Sequence, residues 1–284
     1  MNHQKYLAVS PFTMPAALAA ADELLGGVPS WSGDQGAPEQ RAWLVAFRRR
    51  SQVAAGISEI HSHATVIAEH HAAWLHAQGW DAQITQGGPH DILLAATLNI
   101  VAKWREAGHA YQQGGVDRVG LKKGAYTTST PENGQRPVVE VATQHPSFTF
   151  CFQQVDDAPP SITELLARAL DMVSRSASEE VHFDFPMVDL RVHDNAGYML
   201  GLHSGLNMVT QAAEQLRLEL NEVGGRASAA AEVAVTRSSH RTVKIDGPFI
   251  VAVNRNGAPK DGDKVVFAAY CDRSAWRKPA DGRI

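Results

Sequence analysis

The sequence predicts an α+β fold, and three observations predict it. Helical periodicity is concentrated in the N-terminal part of the chain. Long apolar or alternating runs, with few helices between them, fill the remainder. No regular strand–helix–strand alternation appears, so a doubly wound parallel sheet is not expected. The pattern is that of N-terminal helices packed on a large mixed or antiparallel sheet, with a second, smaller sheet, across residues 1–284 as a single domain. A chain of 284 residues, 44% of them hydrophobic, is long enough to bury such a core.

The first element is a short strand, Tyr6 to Val9. Ser10-Pro11 then opens a helix, because Pro is tolerated in a first turn. Met14, Ala17, Leu18, Ala21 and Leu25 form its apolar stripe, and Gly26-Gly27 ends it. Residues 28–38 read as a loop. Pro38 to Ala55 reads as a helix carrying Trp43, Leu44 and Phe47, with a solvated basic edge at Arg48-Arg49-Arg50. Ile57 to Gln78 reads as a second long helix, with Ile60, Ala64, Ile67, His71 and Trp74 along its seam and Gly79 as its cap. It is crowded with His61, His63, His70, His71 and His76. Helical metal ligands need i,i+3 or i,i+4 spacing. His61 and His63 fall about 200° apart at ~100° per residue. No metal site is expected.

A short strand from Trp80 to Thr85 and a turn at Gly87-Gly88-Pro89 lead to Ile92–Trp104, a nearly all-apolar buried strand. Pro137–Thr143 and Ser147–Gln153 form a hairpin of alternating strands. Ser161-x-x-Glu164 is a capping box opening a helix through Val173. Val181–Val192 is a strand interrupted at Pro186. His203–Ala213 reads as a short helix, and Gln215–Val223 as a strand with Leu216, Leu218 and Leu220 inward. Pro248–Asn254 and Lys264–Cys271 form the last hairpin. Cys151 and Cys271 sit in apolar strand contexts and read as buried thiols rather than a disulfide framework.

The stretch that carries function is Glu222 to Val253. After Gly224-Gly225, one parity holds Gly225, Ala227, Ala229, Ala231, Val233 and Val235, and none of these is polar. The other parity holds Arg226, Ser228, Ala230, Glu232, Ala234 and Thr236, including both charges. This is a strand with one buried face. Its Gly-Gly lead and Ala run give it poor strand propensity, so it gains little until a sheet receives it. Arg237 is the first charge on the apolar parity, where insertion should stop.

Val243-Lys-Ile-Asp-Gly-Pro248-Phe249-Ile-Val-Ala-Val253 resembles the C-terminal signature of serpins at every position but Gly247, where a basic or polar residue is usual. Glu222-x-Gly224, with the Ala-rich stretch behind it, is similar to a serpin reactive-loop hinge. Ser10-Pro11, the Ile100-Val-Ala-Lys-Trp104 run and Phe183-Asp-Phe185-Pro186 also resemble serpin segments, in the right order. The resemblance implies a reduced serpin-like α+β domain and a suicide-substrate inhibitor of a trypsin-like serine (or cysteine) protease. A loop over residues 224–241 is bait; once cut, its hinge inserts into the sheet as a new strand. Hinge residues must be small, as Gly224, Gly225, Ala227, Ala229 and Ala231 are. The bait bond is read as Arg237-Ser238, with Ser238-Ser239 the alternative under a different count. Trp104 stands as the tryptophan of the sheet's "breach".

The chain departs from that pattern. It is shorter than the family norm. Ser10 stands in the serpin gate, but Ala96 replaces an Asn and Glu214 replaces a His. No room is seen between Thr85 and Ile92 for the helix that crosses the serpin sheet. Two other readings stay open. One is a serpin-fold protein recruited as a small-molecule enzyme, for condensation or cyclisation chemistry, with a buried Glu214 and His90 or His203 as acid and base. The other is a non-inhibitory binding protein. The partner is thus a serine protease or a small-molecule substrate. No cofactor is implied, and nothing sets an oligomeric state. The net charge of −4 argues against nucleic acid. No run approaches eighteen apolar residues, and the N-terminus shows no secretory pattern, so a cytoplasmic protein is expected. Ala, Gly and Arg usage resembles that of a high-GC bacterium.

Overall fold

A computed structural model describes residues 7–27, 30–33, 38–80, 88–128, 136–194, 196–225 and 241–279. In chain order the elements are β1 (Leu7–Val9), α1 (Thr13–Leu24), α2 (Pro38–Ala54), β2 (Ile60–Thr65), α3 (Ala68–Ala77), β3 (Asp91–Leu98) and β4 (Ala102–Lys103). Then follow β5 (His109–Gln113), β6 (Val116–Leu121), β7 (Ala125–Thr127), β8 (Val139–Ala142), β9 (Phe148–Gln154) and α4 (Ile162–Ser174). After these come β10 (Glu179–Glu180), β11 (His182–Pro186), β12 (Val188–Asp194), β13 (His203–Ser204), β14 (Asn207–Leu220) and β15 (Gly224–Gly225). The last are β16 (Thr242–Lys244), β17 (Phe249–Arg255) and β18 (Val265–Cys271). The class is α+β. Contacts gather the chain into two compact units: Met1–Ser10, Ile100–Val192 and Arg217–Ile284 form one, and Pro11–Asn99 and His193–Leu216 the other.

The first unit holds a seven-stranded sheet in the order β1-β18-β17-β9-β8-β7-β10. Leu165, Ala169 and Met172 of α4 pack on one face of it, against Cys151, Ile250, Ala252, Val265 and Ala268. Ser161 caps α4 by accepting from the Glu164 N–H, as its capping box predicts. A four-stranded sheet runs β16-β11-β6-β5, and β15 pairs with β4. Phe152 is the hub of an aromatic core, touching Trp104, Phe183, Phe185 and Phe249. Cys151 and Cys271 are free and buried, and burial pushes both thiols well above their ordinary range.

In the second unit β3 is flanked by β2, antiparallel, and by β14, parallel. Met14, Ala17, Leu18 and Ala21 of α1 pack with Ile92, Leu94, Ala96 and Ala212 on one sheet face. Leu75 of α3 packs with Ala95 and Ala213 on the other, together with Trp74 and Trp80. Alternation along β3 sends even-numbered residues to α1 and odd-numbered ones to α3.

Four expectations need correction. Residues 57–78 are not one helix but β2 followed by α3. Apart from Ala64, Ile60-His-Ser-His-Ala-Thr65 is made of weak helix formers. Thr65 Oγ1 accepts from the Ile67 N–H (3.1 Å), a local bond that breaks helical continuity. A helix does cover this sheet: α3, whose Leu75 packs with Ala95 and Ala213, lies earlier in the chain than the stretch between Thr85 and Ile92. Residues 203–213 are not a helix. Ser204 and Asn207 pair around Gly205-Leu206, a two-residue hairpin turn with Gly205 at φ 61°. The β14 strand thereby extends back to Asn207. Ile92–Trp104 divides into β3 and β4, because Leu98 is the last residue paired with either neighbour and pairing resumes at Ala102. Of the Trp80–Thr85 strand, Trp80 lies outside regular structure and the remainder falls outside the described residues.

Candidate functional site: the loop hinge and the sheet seam

The hinge begins where β14 ends. Asn221 Oδ1 accepts from the Val223 and Gly224 N–H groups (2.9 and 3.1 Å), and Asn221 N–H donates to Gly224 O (3.0 Å). This Asx turn reverses the chain. Gly224 and Gly225 then run antiparallel to β4, facing Lys103 and Ala102. Trp104 anchors the reversal: its backbone N–H donates to Val223 O (3.0 Å) and its indole N–H to Asn221 O (2.9 Å). The Trp104 ring is 1% exposed and meets Phe150 and Phe185 edge-on. Both glycines are required by close approach. A Cβ on Gly224 would stand 2.3 Å from Ala102 O, and one on Gly225 2.9 Å from the Phe150 ring.

The far end of the loop region is held as firmly. The β16 strand runs parallel to β11, with Val243 facing Phe183 and Lys244 facing Asp184. Arg118 Nε pairs with Asp184 Oδ1 (2.7 Å), and its Nη2 donates to Ile245 O (2.7 Å). Tyr111 donates its hydroxyl to the other Asp184 oxygen. Burial, then that carboxylate, raise the Tyr111 pKa. Gln154 Oε1 accepts from Asp246 and Gly247 N–H (3.0 and 3.3 Å). A Cβ on Gly247 would come within 3.2 Å of Gln154 Nε2, the tip of a side chain that could give way.

The seam lies in the second unit. There β14 and β3 are direct neighbours from Met208↔Asp91 to Leu216↔Leu98, so no strand stands between them. One row across the sheet is Ser62–Ala96–Glu214, on the α1 face. The start of α1 has no capping side chain of its own. Thr13 in its first turn donates its hydroxyl to Glu214 Oε1, placing a carboxylate at a helix N-terminus, where the dipole favours it. Thr13 is fully buried and Glu214 is 7% exposed.

Of the residues singled out by sequence, Gly224, Gly225 and Trp104 come together. Ala227, Ala229, Ala231, Arg237 and Ser238 lie outside the described residues. Ser10 is buried, in the first unit, while Ala96 and Glu214 are paired in the second. His90 and His203 are exposed and both flank Met208: His90 O accepts from Met208 N–H (3.0 Å), and His203 is its β-partner. Glu214 is six residues further along β14, about 20 Å at ~3.3 Å per residue. The structure does not bring Glu214 together with either histidine. Sequence reasoning missed Thr13, Asn221 and Arg118. The Asn221-Glu-Val-Gly224 spacing was a turn signal that could have found the second. Among the described residues, no cluster of three or more His, Cys, Asp or Glu could hold a metal, and no helix is long and apolar enough to cross a membrane.

No protein-family model matches this chain, and no curated protein matches it by sequence. Solved structures do match. Uncleaved ovalbumin superposes with a TM-score of 0.64 at 11% identity, over 95% of this chain and 93% of that one. SRPN18 from Anopheles gambiae gives 0.63 at 12% identity, over 99% and 95%. Tengpin, a thermophilic serpin in the native state, gives 0.59 at 11% identity, over 95% and 89%. The fold is therefore the serpin fold.

Proposed function

We propose that the protein is a suicide-substrate inhibitor of a trypsin-like serine (or cysteine) protease, baited at Arg237-Ser238 and acting by insertion of residues 226–236 between β3 and β14. The observation that carries this is the antiparallel pair Gly224↔Lys103 and Gly225↔Ala102. Carried on without a bulge, that register sets 226–236 opposite 101–91, so the insertable stretch ends at Asp91, the first residue of β3. Arg237, the first charge on the apolar parity, falls one residue beyond. β3 and β14 pair directly with no strand between them, as an uninserted form requires, and the small side chains of the segment suit entry once that pairing opens. Fold likeness to uncleaved and native-state serpins is consistent with an intact, uninserted form.

The test is incubation with trypsin at near-equimolar ratio, followed by denaturing electrophoresis and a thermal melt. A stable adduct of the summed masses, with a cleaved form that melts far higher, is expected. Nicking near Arg237 with neither adduct nor stabilisation overturns the reading. The Ala229→Glu variant should be cut without inhibiting, because its carboxylate would enter the α1 face opposite Leu98.

A further inference from the structure

Polar atoms without partners gather under α3. Both ring nitrogens of His71, Nε2 of His63, Oγ1 of Thr97 and Oε1 of Gln211 are buried with no hydrogen-bond partner. His63, Ala95 and Ala213 form one row across β2, β3 and β14. Thr97 lies two residues from Ala95, and Gln211 two from Ala213, so both share that row's side of the sheet. Buried polar groups are ordinarily satisfied. Here the neutral acceptors on Thr97 and Gln211 bond neither ring. His71 is 0% exposed, so a charged imidazole there would be a buried ion with neither N–H satisfied.

The helix that carries His71 is lightly held. Its only buried residues are His71 and Leu75, so half of its anchor is titratable. Leu75 rests on two alanines, Ala95 and Ala213, with Trp74 and Trp80 alongside. By contrast α1 buries Thr13, Met14, Pro15, Ala17, Leu18 and Ala21. Ile67, at the N-cap of α3, offers no side-chain hydrogen bond, and ten residues are too few for a helix to persist off its sheet. We propose that α3 is an acid-released cover: protonation of His71 frees it from the sheet and melts it as a unit. Release bares the α3 face of β3 and β14 while α1 stays packed on the other.

The His63 and His71 rings stand 5.8 Å apart between centroids, and His63 stacks on Trp74 at 5.4 Å. Burial pushes His71 down to about 4, with His63 adding to the effect. Burial, then His70, lower His63 as well. A proton on one ring repels a proton on the other, and solvent relieves both. The released form therefore binds protons more tightly, and release gains as pH falls below 6.5. The other charged groups on these elements are Glu69, His70 and His76 on α3, His61 on β2 with Glu59 just before it, and Asp91 on β3. On β14, Glu214 lies on the opposite face, bonded to Thr13, and Arg217 and Glu219 pair with each other. Among the described residues, no carboxylate is bonded to His71.

The test is amide hydrogen exchange on the full chain between pH 7.5 and 5, with each rate corrected for its intrinsic pH dependence and the series repeated at low urea. Protection across Ala68–Ala77 should fall about thirtyfold, the ratio set by 6.5 against about 4. The opening should depend on urea far more weakly than that of the α1 amides, because it exposes one helix and not the whole core. His71→Leu protein should keep its α3 protection at pH 5; His71→Gln protein serves if His71→Leu does not fold. Flat protection in the wild type, a fall that persists in the variant, or α3 amides that share the urea dependence of α1 would each overturn the inference. The inhibitor reading stands in every case, since insertion plays no part in the measurement.

Discussion

The Thr13–Glu214 contact lends itself to a double-mutant cycle. It ties α1 to β14 at the point where Glu214 faces Ala96, the pairing that the proposed insertion would have to open. Both side chains are almost wholly buried. A hydrogen bond to a carboxylate in such a place contributes roughly 1.5–3 kcal/mol. Thr13→Val, Glu214→Leu and the double variant should therefore show a coupling energy of about that size. At an m-value near 2 kcal/mol/M, the non-additive part is a urea midpoint shift of roughly 1 M. The assay is urea unfolding followed by circular dichroism, with a second probe to confirm that the transitions coincide. If the proposed insertion opens this seam, the contact also has a kinetic signature: Thr13→Val should anneal a synthetic peptide of residues 225–236 faster than wild type. Coupling below about 0.5 kcal/mol, or unchanged annealing, would refute the reasoning that this pair resists the proposed insertion.

Three further outcomes are expected. His71 has an ordinary value of 6.5 and a folded value of about 4, so the unfolded chain binds the proton first and stability falls as pH drops below 6.5. Between pH 7.5 and 5 the loss is about 2 kcal/mol, and the urea midpoint of His71→Leu should lack that share; parallel profiles would remove His71 as the source. Gly225→Val drives a side chain into the Phe150 ring and should undo the β15–β4 pair, seen as faster amide exchange at Val223–Gly225 with little change in β17. Arg118→Met strands Asp184 and should cost about 3–5 kcal/mol in a denaturant melt, whereas Arg118→Met with Asp184→Leu should recover most of it.

Much of the fold was legible in the sequence because its strands alternate and its helix ends carry local signals. Ser161 and Glu164 predicted α4 through a bond that forms within one turn. Gly26-Gly27 ended α1 because both adopt positive φ. The failures are non-local. The Ile60–Thr65 segment carries two histidines two apart, a spacing that shares a face in a strand and not in a helix, but what makes it a strand is its pairing along the edge of β3. Residues 203–213 depend on one glycine turn and on a parallel partner over a hundred residues away. The hinge was found from its glycines and alanines. Glu214 was singled out only because it stands where the serpin gate has a His, since nothing near residue 214 announces a threonine at residue 13.

The seam itself explains how a segment with poor strand propensity could displace anything. Its central pairs are Leu94↔Ala212, Ala95↔Ala213 and Ala96↔Glu214, so side-chain contact between β3 and β14 is slight. The pairing is also parallel, the less stable ladder per residue. An entering strand antiparallel to both neighbours would replace that one ladder with two of the better kind. Its own alanines would ask for little space on the α1 face.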